Sequence, residues 1–295
     1  MSPHNINKCS LIIYFMVIIL FILALIWVVF AIVQDFKQRE IANWVSFSLI
    51  IFALAIRLFY SIFSGDYNYI LFGIAGLAVF FVLANAFYYM RLFAGGDAKL
   101  LIALGAVIPI ESIWYSNLLI GFVFIIALFL TGALYSLIYS GVIAYKNKTN
   151  FSRDFKKQFR ENKNYFFVSL GFAIIFLVIG FISGLFALAF FSLMIFVLPY
   201  LYIYTKAVES ACMIKEISVK ELTIGDWLVK SIKVKTKTIK PDWEGLSEGD
   251  LIFIQKNYRK KVLVKYGVPF SPAFLFALLT VMIIKYFFNS NWRFI

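Results

Sequence analysis

The sequence predicts an all-α polytopic membrane protein with about eight transmembrane helices and one small α+β cytoplasmic module. Three observations predict it. The 295 residues are 63% apolar and only 15% charged, against roughly 45–50% and about 25% in soluble domains. Apolar runs of about 20 residues, enough to cross a bilayer, recur along the chain. Of the 28 Lys and Arg, 24 fall into three short connections and one polar segment. This composition excludes a soluble globular enzyme, a disordered chain and a disulfide-stapled secreted domain. The 35 Phe suit lipid-facing helices better than barrel strands of alternating polarity.

The spans are expected at 11–33, 43–63, 69–90, 98–110, 117–145, 165–182, 185–205 and 270–288. The first is too long for a signal-peptide core and lacks a basic leader, so it reads as a span. The run 165–205 is about twice the length of one crossing, and Gly180, Ser183 and Gly184 mark a turn in its middle. The run 98–110 is short. It becomes a span through the positive-inside rule. Lys37 and Arg39, Arg91 and Lys99, seven residues of 146–164 and thirteen of 206–269 all reach one side only if 97–145 and 165–205 each cross twice. Both termini then lie outside, with Lys8, Lys285 and Arg293, and Arg57 lies within the second span. The domains are 1–206 (helical bundle), 207–268 (cytoplasmic module) and 269–295 (last helix and tail).

The net charge of +13 is therefore a topology signal that meets anionic headgroups. No aromatic-basic interleaving or recognition motif points to nucleic acid. The connection 146–164 reads as a basic loop. In the module, KEISVKELTIGDWL and SIKVKTKTI alternate polar and apolar residues and predict strands. GLSEGDLIFIQKNY predicts a turn into a short helix with Ser247 as N-cap. Gly225-Asp226 and Gly249-Asp250 read as turns.

Chemistry must come from few residue types. One His (His4) and two Cys (Cys9, Cys212, on opposite faces in this topology) provide no His/Cys zinc site and no Ser-His-Asp triad. Most of the 15 carboxylates lie in loops. Asp35, at the end of the first span, and Asp97, before the fourth, lie at the same membrane edge. A carboxylate partly inside a helical bundle is costly and marks a candidate site. Alone, Asp35 reads first as a cap of the second helix or a pair with Lys37 or Arg39, and Asp97 first as an N-cap. Together they can share a proton, one carboxyl charged and one neutral. The charged member can take a proton from water while the neutral one polarises a peptide carbonyl. This hydrolysis calls for no cofactor and no metal. Gly95 and Gly96 would let an extended peptide approach Asp97. Lys99 reads first as a topology charge.

These residues resemble a known family. AGGDAKLL, with Asp97, is similar to the GxGD motif of membrane aspartyl proteases, specifically the type IV prepilin peptidases. Asp35-Phe-Lys-Gln-Arg-Glu-Ile41-Ala-Asn43 is similar to the other half of that signature, an aspartate followed by a basic stretch and Ile-Pro-Asn. YGVPFSPAF at 266–274 resembles a Gly-Ile-Pro-Phe-x-Pro-Ala-Phe segment of the archaeal members. Ala94 stands where the first Gly of GxGD would fall, and Ala42 where the Pro would. The zinc-binding cysteine module of the larger bacterial members is missing, so methyl transfer is not implied. Presenilin-like proteases are less similar, because Gln34 precedes Asp35 and 269–274 reads PFSPAF.

The resemblance implies a multi-pass cell-membrane endopeptidase with Asp35 and Asp97 catalytic and Gly95, Gly96, Lys99, Ile41 and Asn43 in support. Its partner would be a prepilin or preflagellin with a short basic leader and an apolar helix, cut at the cytoplasmic membrane edge. The prolines of Pro269–Phe274 read first as a helix start, with packing near the site as the second reading. A secondary transporter or channel with the aspartates in a cation path is the alternative. It calls for midplane charges and a structural repeat, and neither is visible.

Overall fold

The computed structural model describes residues 3–288 except 112 and 236, with side chains from Phe15 to Lys285. Lys8 and Arg293, and with them the expected placement of both termini, lie outside the described residues or side chains. The protein is a polytopic helical membrane protein. Among the described residues six helices are long and apolar enough to cross a bilayer. The chain divides into two compact units, residues 1–137 with 269–295, and residues 138–268. This division falls within a helix rather than at the expected 206/207 boundary.

The first unit contains α1 (Pro3–Gln38), α2 (Asn43–Ser64), α3 (Asn68–Tyr89), α4 (Gly95–Gly105), the first part of α5 (Trp114–Lys146) and a last helix over Ser271–Phe288. Its core joins Leu20, Phe21 and Val28 of α1 to Leu49 of α2, Leu100, Leu101 and Leu104 of α4, and Phe274 and Leu278 of the last helix. The expected span 98–110 is corrected here. Its helix starts at Gly95, stops at Gly105 and has 11 residues. At ~1.5 Å per residue it is about 16 Å long, well short of a ~30 Å hydrocarbon layer. Its leucines are buried in the unit, as expected for a helix apolar on most sides.

The segment after α4 is irregular yet buried, with Ala106, Val107, Ile108 and Ile110 in the core. Buried carbonyls need donors. Arg57, fully buried in α2, supplies them. Its Nε donates to Ala106 O (2.8 Å), Nη1 to Tyr69 O (2.9 Å), and Nη2 to Val107 O (3.0 Å) and to Pro109 O. The guanidinium also lies over the Tyr69 ring, 4.7 Å from its centre. Gly105 brings the end of α4 against α3. A Cβ there would lie 2.7 Å from Gly76 O and 2.6 Å from Phe80 Cβ, so only a glycine allows this approach.

The second unit holds the end of α5, then α6 (Lys148–Glu161), α7 (Lys163–Ser183) and α8 (Phe186–Val208). The expected basic loop 146–164 is instead largely the helix α6. Phe151, Phe155 and Phe159 recur every fourth residue and form one apolar stripe. Phe151 meets Tyr204, and Phe159 meets Phe166. The many intervening charges hid that period. The turn expected near Gly184 is present, with Gly184 left-handed at φ 68°.

Beyond α8 lie β1 (Ile214–Ile217), β2 (Trp227–Leu228), β3 (Ile232–Val234), β4 (Lys237–Ile239), α9 (Glu248–Asn257) and β5 (Val262–Lys265). The order β1-β5-β2 makes an antiparallel sheet, and β3-β4 a hairpin. Ile217, Leu228, Val234, Ile254 and Val264 form its core. Ser247 caps α9, its hydroxyl accepting from Asp250 N. Gly225-Asp226 is a turn, in which Asp226 accepts from Thr223 N at 2.8 Å. Gly249-Asp250 is not a turn but the first turn of α9. The last helix, numbered α10 from here, returns to the first unit.

Candidate active site

Asp35 sits in the last turn of α1, which runs on to Gln38, and only 8% of it is exposed. Arg39 ends the helix with a left-handed backbone at φ 58°. Gln34 Oε1 accepts from Ala42 N at 3.1 Å and so holds the returning segment. Asp35 does not cap α2, whose N-cap is Ala42 with no side-chain cap bond. Lys37 and Arg39 are exposed. The bonds of Asp35 go to α10. Ser271 Oγ donates to Asp35 Oδ2 at 2.6 Å, and Ser271 N donates to the same oxygen at 3.2 Å.

Asp97 is not an N-cap either. Ala94 holds that position, and Asp97 is the third residue of α4. It is also 8% exposed, and its carboxyl takes a hydrogen bond from the Ala94 backbone. Such a reach back to the N-cap is the reciprocal half of a capping box. Asp97 lies outside the six spanning helices. Burial, and then the negative charge of Asp35, push its carboxyl up to about 7, against the Ala94 bond. The two aspartates, far apart in sequence, therefore interact electrostatically.

The flanking residues meet as well. A Cβ on Gly96 would lie 3.2 Å from Ile41 N and 3.3 Å from Ile41 Cβ. This close approach seats α4 against the segment after Asp35, and Ile41 is buried. Lys99 Nζ donates to Asn43 Oδ1 at 2.6 Å, which gives Lys99 a tertiary partner besides its topological charge. Gly95 is different. A Cβ there would meet only Tyr88 Cε2, at 3.9 Å. Gly95 and Gly96 both belong to the first turn of α4.

Sequence reasoning missed Ser271. It is fully buried and starts α10 between Pro269 and Pro272. A hydroxyl between two helix-starting prolines was the available signal. Below it, Phe93 packs against Phe270 and Phe274. The unit thus holds Asp35, bonded to Ser271, together with Asp97, whose carboxyl is pushed up to about 7 by burial and then by Asp35. Such a pair can move a proton in each direction at once.

The class defined by this fold and site is a helical membrane protein with a buried aspartate pair. Residues 10–139 match the model of the type IV leader peptidase family, the family that the motifs resemble. That stretch carries Asp35, Ile41, Asn43, Gly95, Gly96, Asp97 and Lys99, while Ser271 lies beyond it. Over 89 residues the chain is 38% identical to a preflagellin peptidase of Methanocaldococcus jannaschii. It is 33% identical, again over 89 residues, to a preflagellin peptidase of Methanococcus maripaludis. Each match covers 30% of this chain and 38% of the relative. The chain thus spans well under half the length of these relatives.

Proposed function

We propose that this protein is a membrane aspartyl endopeptidase that removes a short basic leader from prepilins or preflagellins. One observation carries the reading. Asp35 and Asp97 are buried on different helices of one unit, and the charge of one acts on the other. The likeness of residues 10–139 to leader peptidases and the partial likeness to preflagellin peptidases support the substrate class.

Hydrolysis would begin with one aspartate charged and one protonated. The charged carboxylate takes a proton from water as the water oxygen bonds to the scissile carbonyl carbon. The protonated member gives its proton to the carbonyl oxygen. When the tetrahedral species collapses, the first aspartate passes its proton to the departing nitrogen. The second takes one back from a hydroxyl, and the starting state returns. Gly96 against Ile41 and Lys99 on Asn43 hold the two aspartate-bearing segments in register. Lys37, Arg39, Arg91 and Lys99 lie at the same ends of α1, α3 and α4 as the aspartates, and by the positive-inside rule this end would face the cytoplasm. A substrate's apolar helix would lie in the bilayer and its basic leader outside it.

The test is a mass-shift assay with a tagged preflagellin or prepilin and membranes containing wild type, Asp35→Asn or Asp97→Asn. Wild type cuts just ahead of the apolar helix. Each variant loses at least about 100-fold, as expected for loss of a general acid or base. Undiminished cutting by both variants refutes the reading.

A further inference from the structure

We infer that Ser271 is a positioning residue that makes Asp35 the charged member of the pair, so that Asp35 activates the water and Asp97 supplies the proton. The inference rests on the proposed aspartyl peptidase reading and adds an assignment that the paired motifs leave open.

The geometry separates the two carboxyls. One oxygen of Asp35 accepts both the hydroxyl and the backbone N–H of Ser271, at 2.6 Å and 3.2 Å. Both donors stand at the first residue of α10, an 18-residue helix. The unpaired N–H groups of a helix N-terminus favour a negative charge placed there. Two donors converging on one carboxylate oxygen stabilise its charged form. The short O–H···O distance is typical of a charge-assisted bond. Ser271 is fully buried, so water does not replace its hydroxyl.

Asp97 has the Ala94 backbone bond and lies in a buried setting beside the charge of Asp35. Asp35 thus has two donors from Ser271, whereas Asp97 has one backbone bond and lies buried beside Asp35. Other charged groups nearby do not reverse this order. Lys37, Arg39 and Glu40 follow Asp35 but are exposed. Lys99, on α4, is engaged with Asn43. α10 contributes the Ser271 hydroxyl, and its Lys285 pairs with Glu111 at 2.9 Å.

The sequence context supports a designed placement. Pro269 and Pro272 bracket Ser271, and proline fixes φ while removing a donor. Pro272, the second residue of α10, has no N–H of its own. The donors given to Asp35 are therefore both from Ser271.

The experiment measures kcat/KM against pH for the full-length protein in membranes, with a tagged preflagellin as substrate. Wild type is compared with Ser271→Ala, Ser271→Cys and Ser271→Thr. Losing the hydroxyl makes the charged Asp35 dearer. The acid limb of the profile should then move up by about one pH unit in Ser271→Ala, a tenfold change in proton affinity. Ser271→Thr keeps the hydroxyl and should keep the wild-type limb. Cys is close to Ser in size but a weak donor. Its limb should move with that of Ala, and it carries the test if Ala fails to fold. An unmoved limb in Ala and Cys, with or without a uniform drop in rate, would assign Ser271 to packing and overturn the inference. That result leaves the peptidase reading intact if Asp35→Asn and Asp97→Asn are inactive. Full activity in those two variants would instead remove the reading and the inference together.

Discussion

Lys99 Nζ donates to Asn43 Oδ1 at 2.6 Å, and this bond ties the helix of Asp97 to the first residue of the helix after Asp35. Loss of either partner should loosen the register of the pair. Lys99→Met and Asn43→Ala should each lower kcat/KM by about three- to tenfold, the range of one modest hydrogen bond. The double variant should be no worse than the weaker single one, because both remove one interaction. Additive losses in that cycle would show that the two residues act separately.

Gly96 and Gly95 should behave differently although they are adjacent. A side chain at 96 would press on Ile41, whose backbone nitrogen would lie 3.2 Å from the new Cβ. Ile41 is buried and has little room to yield. Gly96→Val should reduce cleavage at least about tenfold, since a misplacement near 1 Å is costly for positioned groups. Gly95→Ala should cleave as wild type does, because its Cβ would make only an ordinary contact with Tyr88. A better helix former should also raise its thermal midpoint slightly. Equal behaviour of the two variants in the cleavage assay would contradict this account of α4.

Arg57 should matter for stability rather than chemistry. Arg57→Met would strip donors from the carbonyls of Tyr69, Ala106, Val107 and Pro109. Leaving such groups buried and unpaired should cost about 3 kcal/mol or more. Arg57→Lys should recover little, because a single ammonium cannot match the planar five-donor fork. Thermal unfolding in detergent measures this. A wild-type midpoint for Arg57→Met would mean that water or another donor serves those carbonyls.

The pH dependence has a definite sign. Asp97 is pushed up to about 7 by burial and then by Asp35. A raised carboxyl keeps its proton to higher pH, so the acid member is available below about 7 and lost above it. Activity should fall toward a tenfold loss per pH unit on the alkaline side. Burial sets this limb first, and Asp35 adds to it. A rate that rises steadily from pH 7 to 9 would mean that Asp97 does not act as the acid.

Much of this was legible in the chain itself. Spans such as Asn43–Ser64 and Asn68–Tyr89 emerge within a residue or two of their apolar runs, because burial in a bilayer demands an uninterrupted apolar length. The Ser247 cap was readable because N-capping is local chemistry. Asp35 and Asp97 stood out because a carboxylate beside an apolar span is expensive. α6 was not legible. Its three phenylalanines are separated by charges and only half-buried, and Phe151 and Phe159 meet Tyr204 and Phe166 outside the helix.

The sequence by itself determined the membrane class and the apolar spans that the six long helices occupy, and it marked Asp35 and Asp97 as candidates, since these follow from apolar length and from the cost of charge. Tertiary structure alone decided that α4 stops at Gly105, that Arg57 satisfies the carbonyls beyond it, and that Ser271 meets Asp35. A hydrogen bond between residues 236 positions apart leaves no periodic trace in a sequence. It exists only once packing has brought a helix start and a helix end together, out of water, where an unmet donor or acceptor costs more than the bond itself returns.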